Sequence, residues 1–494
     1  MTIFMTLKTK LTSAAFAVFA VSILMVSCDP VDPNNGKDIN KDRDTTATAA
    51  AKAYLRSEYM ENYYYWADSV RVRNSQLKPL WYDIYDFFDA MLFARDRWSW
   101  MCDKEYYVGS ETGVVTGTYG AQITQAIKYH NDYGIHVAYV HPGSPFDKNG
   151  VTRGWTLTHI KDFEVKFDSQ EAIDTFNRMY AESPQTFTFK DVEGNSHTFT
   201  TEAATELSTR SSLMTKIFTE KDFPGLKEPV GYFNYLSFKA NFLSDIVDAM
   251  DTFRTAGVRT LILDLRYNGG GDSRASQLLV NFLAPESARW KIYVKRVHNR
   301  ILSSENEEGY IGTAVTNPVD GNPIKAESVG IDRLYVITGE GSASASEMVI
   351  NGLRPYMDVK MVGDTTYGKP NGMYVLMYPG SNEDYNRYNS GDFSRLEWVF
   401  LPICFYNMNG LGEQIPDDGF VPDNYRPDDI YHDFDATEDN IKACLTHIVT
   451  GSFPSLPEPH GDNRTRGRAS LRIPGLNPYE SNPHYGLYTV MPEF

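Results

Sequence analysis

The stretch TGEGSASASEMVINGLRPY, Thr338 to Tyr356, sets five small residues, Ser342 to Ser346, between an apolar strand-like run and an apolar helix-like run. Ser344-Ala345-Ser346-Glu347 has the Ser-x-x-Glu pattern of a capping box, ahead of a helix carrying Met348, Val349 and Leu353 on one face. Capping accounts for one serine and the glutamate. It does not account for three serines separated only by alanine. Small side chains let a second molecule approach the backbone closely. A serine on a sharp strand-to-helix turn also sees free N–H groups at the helix start, which can hold a developing negative charge. The stretch suits a helix cap or a nucleophile, and a nucleophile needs a base.

Histidine is not the obvious base, because His298, His432 and His447 all lie outside Gly-rich or small-residue turns. Lys369 stands in GDTTYGKPNG, between Gly368 and Pro370, 25 positions after Ser344. One helix and one strand fill that interval, so both groups reach the same edge of a sheet. A lysine in a turn is usually just solvated. One desolvated beside small residues, with no carboxylate partner, loses its proton readily and can act as a general base.

The elements that must position these groups read as βαβ units. Phe242, Ile246, Met250 and Phe253 make a helix face closed by Gly257. TLILDLR is a continuous apolar strand of the kind buried on both faces, followed by NGGGD and a helix with Leu278, Leu279 and Phe282. RLYVIT and VKMVGD are two more strands. This predicts a largely parallel sheet, whose active groups sit just beyond the carboxyl ends of its strands. NGGG and SASAS both fall there.

Upstream, Leu55, Tyr59, Tyr63 and Trp66 fall at helical steps, as do Ile84, Phe87, Phe88, Met91 and Leu92, which predicts a small helical bundle over 47–105. Residues 106–200 read as strands and turns. Within them, GIHVAYVHPGSPFDKNGVTRGWTLTHIKDFEV, from Gly134, resembles a PDZ domain, with Asn149 and Trp155 departing from its usual residues. That resemblance implies capture of an extended peptide end as an added strand. TGTYGAQITQAI, from Thr116, would be the carboxylate loop and receiving strand, with Thr118, Tyr119, Gly120 and Ala121 as peptide-binding residues.

The first 27 residues are not fold. Lys8 and Lys10 precede an apolar run from Ala14 to Val26, then Ser27 and Cys28. The pattern is that of a secretory signal, too short to span a bilayer comfortably, and MVSC resembles a bacterial lipobox. The resemblance implies cleavage before Cys28 and acylation of its thiol. Residues 28–46, rich in Asp, Asn, Lys, Pro and Thr, would then be a tether, and 454–494 an extended or disordered tail. Cys102, Cys404 and Cys444 have neither disulfide nor metal-ligand spacing and read as buried free thiols. The net charge of −17 argues against general nucleic-acid binding.

GSASASE with TTYGKP 25 residues later resembles the C-terminal processing peptidases, or tail-specific proteases. DLRYNGGG, Asp264 to Gly271, is similar to that family's DLRNNPGG, and GFVPD at Gly419 to its late Gly-Ile-x-Pro-Asp mark. The resemblance implies Ser344 as nucleophile and Lys369 as base. It implies an oxyanion hole from the N–H groups of Ala345 and Gly270, with Gly269 and Gly271 as other choices for the glycine. It implies a multidomain α/β chain, with the helical N-terminal bundle over 47–105, the PDZ-like β domain over 106–200 and an α/β serine protease core over 201–453. No cofactor or metal is implied. The expected protein is a lipid-anchored serine endopeptidase of a bacterial cell envelope, on the outer membrane or periplasmic face. Its partners would be protein substrates with free C-termini. The alternative is a non-catalytic peptide- or ligand-binding lipoprotein on the same fold, a use with precedent in vertebrate retinoid carriers that resemble this core. Two positions depart from the family pattern. Pro355 stands where an Asp often follows the serine by eleven residues, and Met373 where a Gln often follows the lysine by four. What orients Lys369 is therefore left open.

Overall fold

The computed structural model describes residues 48–79, 82–124, 135–165 and 169–455. The leader, Cys28, the 28–46 tether and residues 456–494 of the tail lie outside the described residues.

The central sheet has six strands, β1 (Ser212–Phe218), β2 (Val230–Tyr235), β3 (Thr260–Asp264), β4 (Arg333–Thr338), β5 (Asp358–Gly363) and β6 (Asn424–Tyr425), in that order across the sheet. β1 runs antiparallel to β2, and β2 to β6 are mutually parallel. Helices α1 (Leu243–Thr255), α2 (Ser273–Leu283) and α3 (Ala345–Leu353) make the crossovers between β2 and β5, and α4 (Asp439–Thr450) follows β6. Every residue of β3 is buried because both faces are covered. On one face Leu261, Leu263, Leu334 and Val336 pack with Ile246, Leu279 and Val349 of α1, α2 and α3. On the other, Ile262, Tyr335 and Ile337 pack with Ile441, Cys444 and Leu445 of α4. Period-2 alternation along each strand thus feeds two cores.

A second sheet, residues 121–201, pairs Ala121–Thr124 with Ile135–Val140, and then Thr156–Ile160, Gln185–Lys190 and Ser196–Thr201, beside a helix at Gln170–Tyr180. Ala121–Thr124 lies at one edge of this sheet and Ser196–Thr201 at the other. The expectation of strands from residue 106 needs correction. Lys104–Thr112 is a helix: Asp103 caps its N-terminus by accepting from the Tyr106 N–H at 2.9 Å, and Gly113 ends it at φ +66°.

The N-terminal pattern is also corrected in two respects. The helix Ala49–Tyr54 continues as a π-helical turn over Leu55–Met60, so Tyr63 and Trp66 fall beyond it and not on one α-helical stripe. The short helices Ala67–Gln76 and Ile84–Met91 do not close a separate bundle. Leu55, Tyr64, Phe87 and Phe88 share one core with Leu376, Phe400 and Ile403, more than 270 residues downstream. Helices of this length cannot bury their apolar stripes against one another alone, so they use the Trp398–Leu401 and Ile403–Met408 strands.

Candidate active site

Three turns meet beyond the carboxyl ends of β3, β4 and β5. The first holds Gly270, the second Ser344 and the third Lys369. All three residues line one cleft of about 2280 Å³, which the edge of the second sheet at Gly120 and Ala121 also lines.

The three serines have different jobs. Ser342 is fully buried, and its hydroxyl donates to the Leu265 carbonyl at 2.7 Å. Ser346 is fully buried and donates to the Asn268 carbonyl at 2.8 Å. These two stitch the β4–α3 turn to the β3 turn. Ser344, between them, is half-buried and faces the cleft. Its backbone sits at φ +55°, ψ −111°, one of three non-glycine residues with positive φ among those described. L-residues rarely hold such a conformation, and it recurs at sharp strand-to-helix nucleophile turns, where it lifts the hydroxyl out of the helix start.

Glu347 is wholly buried in the first turn of α3 and forms the capping box with Ser344. Its role reaches further than the helix. One carboxylate oxygen accepts from the Ser344 N–H at 2.9 Å and the Lys369 N–H at 2.8 Å. The other accepts from the Thr366 hydroxyl at 2.6 Å and the Gly368 N–H at 2.8 Å. Burial pushes the Glu347 pKa above the usual carboxylate range, and these four bonds act against that by stabilising the anion. One side chain therefore clips the Ser344 turn to the Lys369 turn. In the sequence it is legible only as a cap.

The lysine keeps some surface open to the cleft but lies deep within protein. Desolvation lowers its pKa from 10.5 to about 8, against the opposing fields of Asp96 and Glu347. The expected absence of a carboxylate neighbour is thus corrected. Two anions are near, and desolvation outweighs both. The Lys369 Nζ lies 3.7 Å from Met373 Sδ, so a thioether occupies the position four residues on.

Gly270 is the glycine pressed against the serine turn. A Cβ there would lie 2.8 Å from Ser344 Cβ and 2.9 Å from the Ala345 N, and its φ is +101°. Gly269 has only the Gly341 carbonyl near, at 4.0 Å, and Gly271 packs on the Phe238 backbone. The Gly270 N–H donates to Asn268 Oδ1 at 2.9 Å, so engaging an oxyanion would require that bond to be shared or exchanged. Ala345 is buried at the first position of α3.

Of the four residues assigned to peptide capture, Thr118, Tyr119 and Gly120 directly precede the edge strand, with Thr118 bridging antiparallel to Ala204, and Ala121 begins the strand. The Tyr119 ring is core, stacked on Phe146 at 5.3 Å. The Gly120 N–H already donates to Thr118 Oγ1 at 2.9 Å. His432 and His447 do not line the cleft. His298 is held by Tyr374 at 2.7 Å.

Residues 229–383 match the model of peptidase family S41. The chain is 28% identical over 230 residues to carboxyl-terminal-processing peptidase 3 of Arabidopsis thaliana, covering 46% of this chain and 41% of that protein. It is 25% identical over 190 residues to the carboxy-terminal processing protease CtpA of Bacillus subtilis, covering 38% and 34%. It thus aligns with less than half the length of these curated relatives. The fold is similar to the crystal structure of a candidate S41 protease from Bacteroides fragilis, with a TM-score of 0.62 and 21% identity over 81% of this chain and 97% of that one. The segment that supplies all three turns of the cleft, residues 229–383, is the one that matches the peptidase family S41 model, and it lies on a mixed α/β fold similar to that of the Bacteroides fragilis structure.

Proposed function

We propose that this protein is a serine endopeptidase in which Ser344 is the nucleophile and Lys369 the general base. The reading is carried by one observation: a single buried carboxylate, Glu347, accepts from the N–H groups of both Ser344 and Lys369, holding a strained serine and a desolvated lysine at one cleft.

The Ser344 oxygen attacks the scissile carbonyl carbon as neutral Lys369 Nζ takes its proton. The oxyanion so formed is met by the Ala345 N–H at the start of α3 and by the Gly270 N–H, which exchanges its bond to Asn268. The C–N bond breaks as the Lys369 ammonium returns the proton to the leaving amine. Water, deprotonated by the same amine, then hydrolyses the ester and restores Ser344. A pKa near 8 suits this cycle, since the amine must both take and return a proton close to neutral pH.

The substrates are proteins held by their C-terminal ends along the edge strand Ala121–Thr124, in a PDZ-like mode. That strand and Ser344 line the same cleft, so a bound tail leads upstream chain toward the serine. Acylated Cys28 would anchor the enzyme to the cell envelope of a bacterium. A binding-only role on the same fold is not favoured, because both members of the dyad are present. A fluorophosphonate probe should label the intact protein and spare Ser344→Ala. Equal labelling of the two, or none of the wild type, would end this assignment.

A further inference from the structure

The Gly368–Lys369 peptide is gripped from both sides. Its N–H donates to Glu347, which belongs to the same core. Its carbonyl accepts from the Trp98 indole N–H at 3.0 Å and from the Arg97 guanidinium at 3.3 Å. Arg97 also reaches the Tyr367 carbonyl at 3.4 Å and the Asp417 carbonyl, and lies over the Tyr367 ring at 4.9 Å. Trp98 and Arg97 lie outside the S41-matched residues and about 270 positions from the turn they hold.

The grip is itself braced. One Asp96 oxygen accepts the backbone N–H groups of Trp98 and Ser99, each at 3.0 Å. The other accepts from the Tyr64 hydroxyl at 2.7 Å. The Ser99 hydroxyl in turn accepts from the Ile403 N–H at 2.9 Å. Trp98 is 8% exposed, and its ring stacks near that of Trp66 at 6.2 Å. Gly368 has no room to yield, because a Cβ there would lie 2.0 Å from the Asp417 carbonyl.

We propose that Trp98, assisted by Arg97, is the positioning residue of the general base. The N-terminal segment 96–98 clamps the Lys369 turn in the cleft, and activity depends on this segment staying docked. This deepens the Ser344–Lys369 reading and rests on it. It also supplies a holder for the lysine where Pro355 and Met373 replace the side chains that the family pattern would offer. The charged groups around Lys369 are Asp96 and Arg97 on the docked segment and Glu347 on α3.

The test uses full-length protein and the pH dependence of both fluorophosphonate labelling and peptide hydrolysis. Trp98→Phe keeps an aromatic side chain but removes the indole N–H together with the five-membered ring that carries it. It should lower kcat about tenfold, the factor one lost hydrogen bond carries, with KM within about twofold. A loosened lysine turn gains solvent, so the midpoint of the rising pH profile should move up from about 8 toward the ordinary lysine range. Arg97→Ala, at an exposed side chain, should move both readouts the same way and carries the test if Trp98→Phe fails to fold. A purely structural tryptophan would alter yield or stability without moving the midpoint. If the wild type is labelled and both variants keep its kcat and midpoint, the clamp is refuted and the dyad stands. If the wild type itself is not labelled, the dyad is refuted and the clamp with it.

Discussion

Replacing Lys369 with methionine should make the protein more stable at neutral pH while abolishing its activity. The lysine gives up its proton near pH 8 in the folded chain and near 10.5 when unfolded. Each unit of that gap is worth about 1.4 kcal/mol, so holding the charged amine in its site costs roughly 3 kcal/mol, and somewhat less because the cleft leaves it some water. The sign follows from proton counts. Between about pH 8 and 10.5 the unfolded chain binds the extra proton, so wild-type stability rises with pH across that window. Below pH 8 both states are protonated and the full cost is present. Methionine fills a similar volume beside Met373 and carries no charge. Urea unfolding should show Lys369→Met ahead by about 2–3 kcal/mol at pH 7, with the gap narrowing from pH 8 and closing near 10.5. Comparing variant with wild type at each pH cancels the titration of groups that do not sense the Lys369 charge; Asp96 and Glu347 do sense it. A variant no more stable at pH 7, or a gap that ignores pH, would mean that the amine is not desolvated. The general-base role would then lose its physical ground.

Gly270→Ala should lose about 10²-fold in kcat, as when an oxyanion donor is removed, because a side chain at φ +101° is strained and its Cβ would push on Ser344 Cβ and the Ala345 N. Peptide hydrolysis at wild-type rate by this variant would exclude Gly270 from the oxyanion site. Cys28→Ala should move the protein from the membrane to the soluble fraction on cell fractionation, and unchanged membrane association would rule out the lipid anchor. A peptide ending in a free carboxylate should bind the Ala121–Thr124 edge much better than its amidated twin, since backbone N–H groups lose a charged partner. Equal affinities by calorimetry would remove C-terminal capture.

How much of this was legible in the sequence depends on how far apart the interacting residues lie. TLILDLR and RLYVIT declare themselves as strands because their centres, residues 261–263 and 334–337, are continuously apolar, as burial on both faces requires. Their spacing from SASAS and from Lys369 follows from the βαβ repeat, so the candidate dyad could be marked from local pattern and family resemblance. The helix at Ala67–Gln76 left no such mark, because only Ala67, Val70 and Asn74 are buried along it. Nothing local distinguishes Ser342 and Ser346, which bond to backbone carbonyls of another turn, from Ser344, which faces the cleft. Glu347 matched the capping pattern and is a cap, but its bonds to Gly368 and Lys369 cross from one turn to another. Arg97 and Trp98 are further removed still, since no period in the chain relates them to Gly368. Strands and helices repeat at fixed intervals and so announce themselves. The contacts that would set the base are single hydrogen bonds between turns, and a single bond has no period. The family pattern predicts a holder for the lysine within the core, at positions that here are Pro355 and Met373. This chain has its holders elsewhere: Glu347 on the helix that begins at the serine, and a tryptophan and an arginine on a segment docked from outside. On the proposed reading, the reaction centre would be complete only when the N-terminal segment is packed against the 371–408 strands. Loosening that packing should therefore reach catalysis before it reaches the central sheet, whose own two cores do not include Trp98.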